Sequence, residues 1–97
     1  MATITIRRDS SGAVTFDPPS IKLGAADFVI WANEDPQAEH QPTKQGKAAN
    51  YWMDSPLPKF EAGQPAATSP TINLAGPAAI TYEDGLDPAA GTGTITF

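Results

Sequence analysis

A chain of 97 residues holds enough material for one small domain, residues 1–97, with one core. Its formal net charge of −5 leaves no basic footprint, which argues against nucleic acid and anionic membranes as partners. The absence of cysteine excludes disulfides, thiolate metal sites and cysteine nucleophiles.

With 40% hydrophobic and 18% charged residues, the chain is too apolar for wholesale disorder. No apolar run approaches the length a bilayer needs, so no membrane insertion is expected. Ten prolines and eight glycines cut the sequence into segments too short for long helices and point to an all-β domain.

The N-terminal "ATITIRR" alternates Thr and Ile, so Ile4 and Ile6 face a core and Thr3 and Thr5 face out. It reads as a strand and not as a secretory leader. The protein then either stays inside the cell or begins after a removed leader, in which case it is periplasmic or extracellular. "DSSG" is a turn. "AVTF" and "SIKL" are short strands hinged by Pro18 and Pro19, with Phe16, Ile21 and Leu23 as candidate core. After a second turn, "GAAD", the continuous apolar run "FVIWAN" has the character of a central strand. Trp31 is expected in the core, and Asn33 is expected to serve order and not catalysis, because a buried amide must be satisfied by hydrogen bonds.

Residues 34–70 are polar, Pro-rich and weakly periodic, a long connection with one short strand expected near Tyr51–Met53. Within it Tyr51, Trp52, Met53, Leu57 and Phe60 lie close together. These aromatics either cover a face of the domain or, through Tyr51, Trp52 and Met53, form a patch for a protein or carbohydrate partner. Core building is the reading adopted, because a small chain needs its aromatics inside. "PTINLAG", "PAAITYE", the turn "DGLDPAAG" and the strand "TGTITF" complete seven or eight strands. Two packed antiparallel sheets on a Greek-key path are the expected architecture.

The order of these pieces resembles the cupredoxin family. Phe16, Pro18, Ile21, Leu23, Gly24, Asp27, Val29, Trp31, Asn33 and His40 occupy the places of its Phe, Pro, strand, Gly, acidic residue, Trp-x-Asn and first His. The resemblance covers nearly the whole chain and implies a Greek-key β-sandwich built around a type 1 copper. The family's second motif, Tyr-x-Cys-x-x-His-Pro, is matched by Tyr82, Leu86 and Pro88, but Asp84 stands at the cysteine and Asp87 at the histidine. The axial position falls near Ala90 or Gly91. A register one residue earlier puts Glu83 and Leu86 at the two ligand positions; the first register keeps Leu86 and Pro88 in phase. Type 1 copper needs a thiolate, so electron transfer of that kind is excluded in either register.

Two functions follow as expectations. The first is a binding or structural module with a degenerate copper site and no expected cofactor. The second is a non-blue metal protein in which His40, Asp84 and Asp87 hold Cu²⁺, Zn²⁺ or Fe²⁺, with Glu39 or Glu83 adding oxygen. Against the metal stands the ordinary role of Asp in turns, with His40 a solvated loop residue; that turn reading is the one adopted. No enzyme is expected: the serines lie in no nucleophile-elbow context, "GTGT" precedes a strand and not a helix, and nothing suggests a pocket that would shift a carboxylate.

Overall fold

Side-chain alternation decides which residues turn inward. The computed structural model of the chain describes residues 2–24, 27–46, 52–74, 76, 78–87 and 90–97. Strand β1 (Ala2–Arg8) buries Ile4 and Ile6 completely while Thr3 stays exposed. Strand β2 (Val14–Asp17) turns Val14 and Phe16 inward and Thr15 and Asp17 outward. The Asp9 carboxylate shapes the turn between them by accepting from the Ser11 and Ala13 amides at 2.9 and 3.0 Å. Pro18, after a cis bond to Asp17, and Pro19 carry the chain to β3 (Ser20–Lys22) in the other sheet.

The remaining strands are β4 (Val29–Asn33), β5 (Pro42–Lys44), β6 (Ala67–Thr68), β7 (Ile80–Asp84) and β8 (Thr92–Thr96). One sheet has the order β2-β1-β4-β6 and the other β3-β8-β7-β5. The all-β sandwich of eight strands agrees with the sequence; its pairing is mixed and not wholly antiparallel. β1 runs parallel to β4, with Ile6 opposite Asn33, and β3 runs parallel to β8. The cause is the excursion of β3 into the second sheet, which lets β4 re-enter the first in the direction of β1.

The middle of the chain also differs from expectation. Trp52–Ser55 make bends and no strand, Tyr51 lies outside the described residues, and the local pairing is an isolated bridge between His40 and Leu57.

An aromatic chain joins the sheets. Trp31 of β4 stacks on Trp52 at 5.0 Å and meets Tyr82 of β7 edge-on at 5.4 Å, and Tyr82 meets Phe16 of β2 edge-on at 4.8 Å. Burial of these rings supplies much of the folding drive. Tyr82 lies directly over Gly93, its cross-strand neighbour on β8, where a Cβ would overlap the ring and hydroxyl. Gly93→Ala is therefore expected to cost about 1–3 kcal/mol and to lower the melting temperature by roughly 5–20 °C. Thr92→Ala, on the exposed side, should leave it nearly unchanged; equal melting of the two variants would contradict the packing.

Candidate functional site

Tyr82 and Asp84 share the inner face of β7, so the alternation that buries the tyrosine also buries a carboxylate. Pro42 pairs with Asp84 in register, which brings the segment just before β5 alongside it. That segment is fixed at His40 by paired backbone hydrogen bonds with Leu57, at 3.1 and 2.8 Å. Asn33, fully buried at the end of β4, braces the surrounding loops. Its Nδ2 lies 3.0–3.1 Å from the carbonyls of Ala38, Leu57 and Pro58, and its Oδ1 accepts from the Asp35 amide at 2.9 Å.

The result is a closed ionic chain. Arg8, at the end of β1, forks onto Asp35 through Nε at 2.9 Å and Nη2 at 2.7 Å. Asp35 Oδ2 meets His40 Nε2 at 2.6 Å, and His40 Nδ1 meets Asp84 Oδ2. Asp35 Oδ1 also accepts from the Gln37 amide at 2.9 Å. Asp84 Oδ1 accepts from the amides of Gln41 and Leu86, each at 3.0 Å. His40 is 1% exposed and both aspartates are fully buried.

The proton inventory follows from these contacts. Asp35 accepts from the Arg8 guanidinium and the Gln37 amide, and Asp84 from the Gln41 and Leu86 amides, which favours the ionised, accepting-only form of both. A neutral imidazole carries one N–H and cannot donate to both, so His40 is the imidazolium. Burial pushes its pKa down, but the bonds to Asp84 and Asp35 outweigh burial and raise it overall. Burial pushes Asp35 up, but Arg8, the Gln37 amide and His40 bring it down to about 2. Asp84 is likewise lowered against burial by His40 and the Gln41 and Leu86 amides. Two cations and two anions make the chain neutral.

The expected site is thus redrawn. His40 and Asp84 do come together, and His40 is not the solvated residue the sequence suggested, because its carboxylate partners make burial tolerable. Asp84 is a turn residue too, since it accepts from the amide of Leu86 two residues on. Asp87 stays outside: it is exposed, and its amide donates to the Asp84 carbonyl at 3.1 Å. Asp35 takes the second carboxylate position. Glu39 is exposed, and Glu83 accepts from the Gly46 amide at 2.9 Å. Met53 is buried, and Trp52 is half-buried against Trp31.

A type 1 copper does not fit these residues. The chain has no thiolate, and both nitrogens of its one histidine are engaged by carboxylates. Among the described residues no group of three or more His, Cys, Asp and Glu side chains has an arrangement suited to a metal ion.

No protein-family model matches the chain, and no curated protein does. Solved structures do. The chain is similar to a purple cupredoxin from Nitrosopumilus maritimus, with a TM-score of 0.67 at 17% identity over 99% of this chain and 98% of that one. It is also similar to plastocyanin from Dryopteris crassirhizoma, with a TM-score of 0.57 at 22% identity over 95% and 97%. Amicyanin from Paracoccus versutus gives 0.56 at 17% identity over 97% and 79%. Identities this low carry the fold alone.

The shifted groups set a pH profile with two limbs. The lowered aspartates contribute stability that is complete above the ordinary value of 3.8 and is lost as pH falls through their folded values, about 2 for Asp35. The raised His40 contributes stability that is complete below the ordinary 6.5 and is lost as pH rises through its folded value. Urea unfolding should therefore show a plateau between these bounds and a decline on either side. His40→Gln should flatten the alkaline limb up to about pH 9, where tyrosine and lysine ionisation begins. An unchanged alkaline limb would contradict the assignment.

Proposed function

We propose that this chain, with its cupredoxin-like fold, is a copperless binding or structural module that works through its surface and not by electron transfer. The observation that carries this reading is the commitment of both His40 nitrogens to carboxylates, in a protein without a thiolate. A metal ligand must offer a lone pair, and His40 offers two N–H donors instead. The same commitment leaves the only histidine without a free nitrogen for general-base work, which supports a non-enzymatic role.

The loop end has a surface suited to contact. A groove of about 540 Å³ is lined by Gln37, Ala38, Glu39, Pro58, Lys59 and Leu86. Leu86, 43% exposed, puts an apolar side chain on the groove wall. The Asn33 amide ties the two loops that form its walls, at the Ala38 and Pro58 carbonyls, so the groove is preformed.

The competing reading, a non-blue metal protein, draws on the convergence of His40 and Asp84. Melting curves with Cu²⁺ and Zn²⁺ decide between them. A native-state ligand at a hundred times its Kd adds about 2.7 kcal/mol, more than roughly ten degrees for a domain this small. The expected shift is under about two degrees with either ion, without an intense visible band on adding copper. A ten-degree rise that His40→Ala abolishes would establish the metal protein in place of the module.

A further inference from the structure

We infer that the Arg8–Asp35–His40–Asp84 chain is a metal-free cross-link that closes the loop end of the sandwich, and that Arg8 and Asp35 are the positioning residues of that cross-link. The inference rests on the reading of a site that takes no metal and adds what holds the site instead.

The chain joins four separate parts of the sequence. Arg8 belongs to β1, Asp35 to the turn after β4, His40 to the approach to β5, and Asp84 to the end of β7. β1 and β4 lie in one sheet and β5 and β7 in the other, so the cross-link spans the sandwich. His40 and Asp84 alone would not suffice, since the second N–H of a buried imidazolium needs its own acceptor. Asp35 supplies it. Asp35 in turn would leave the buried group with an excess negative charge, and the Arg8 fork balances it.

Arg8 is set in place by strand register. Ile6 sits opposite Asn33 in the parallel β1–β4 pair, and two residues further along both segments stand Arg8 and Asp35. The Glu34 amide continues that pairing by donating to the Ile6 carbonyl at 2.9 Å. A third guanidinium contact, from Nη1 to the Gly12 carbonyl at 2.8 Å, holds the side chain along the strand end. Lysine could not reproduce this fork, because an ammonium is a point charge without paired parallel donors.

The test needs no unfolding in its first arm. The chain has one histidine, so its imidazole nitrogens give an unambiguous ¹⁵N spectrum. In metal-free wild-type protein at neutral pH both nitrogens should appear protonated, each with an observable N–H. A bare nitrogen would overturn the inference.

The second arm is a double-mutant cycle of Arg8→Met with Asp84→Asn. These two residues share no contact, and unconnected sites combine to within about twofold in the unfolding constant. Coupling of about fivefold or more is expected if the chain acts as one unit, and additivity would overturn it. Adding Zn²⁺ or Cu²⁺ to the ¹⁵N sample separates the two ideas. Loss of the N–H signals to metal would sink the copperless reading, while the cross-link of the metal-free protein would stand on the first result.

Discussion

Burying an imidazolium is tolerable only if each of its protons meets an acceptor and its charge is matched. Most of the polar architecture at the loop end answers that requirement. Asp84 and Asp35 take the two protons, the Gln41, Leu86 and Gln37 amides fill the remaining carboxylate lone pairs, and Arg8 restores neutrality. Removing one member of such a set costs about 3–5 kcal/mol in general, because it strands a buried charge, while a hydrophobic replacement of the whole set is often neutral. The arrangement therefore specifies one loop geometry more than it adds raw stability.

The apolar interior imposes the complementary constraint. Trp31, Tyr82 and Phe16 interlock across the sheets, and Gly93 leaves the space Tyr82 needs. Close packing brings a polar shortfall with it. Trp31 Nε1 and the Tyr82 hydroxyl are buried without a well-formed hydrogen-bond partner among the described residues. Burial raises the Tyr82 pKa, with a smaller opposing pull from the Trp31 indole, so the phenol stays protonated. Tyr82 and Asp84 stand two residues apart on the same face of β7. One is placed by apolar packing and the other by charge, and the strand holds both at fixed depth.

What the sequence revealed divides along the same line. Period-two patterning in "ATITIRR" and the apolar run through Trp31 located core strands, because burial of one sheet face writes itself into alternation. The same rule applied to Tyr82 would have marked Asp84 as inward, but an aspartate beside a glycine reads more readily as a turn residue, and here it is both. Asp35 and Arg8 carried no comparable signal. Their meeting depends on β1 and β4 lying parallel in a register that places Ile6 opposite Asn33, and nothing local to either segment encodes that pairing. Asp87 was drawn in by its place in a motif, yet it is exposed at the turn and its charge acts on Arg8 and not on His40. Parallel pairing of β3 with β8 was hidden for a similar reason, since it follows from a change of sheet at Pro18 and Pro19 and not from residue type.

The aspartate at the position where the resemblance expects a cysteine changes the local chemistry in kind. A thiolate and an imidazole lone pair are both groups to be offered to a cation. A carboxylate facing an imidazole needs only a proton between them, and the raised His40 keeps its second proton until pH climbs through its folded value. The exchange leaves the second imidazole nitrogen to be satisfied, which ties the substitution to Asp35 and, through charge balance, to Arg8. One side chain on β7 thus places a demand on the turn after β4 and on the far end of β1. The groove beside that loop end is walled by Ala38 and Pro58, and the Asn33 amide holds the carbonyls of both, so the polar set and the groove share one brace.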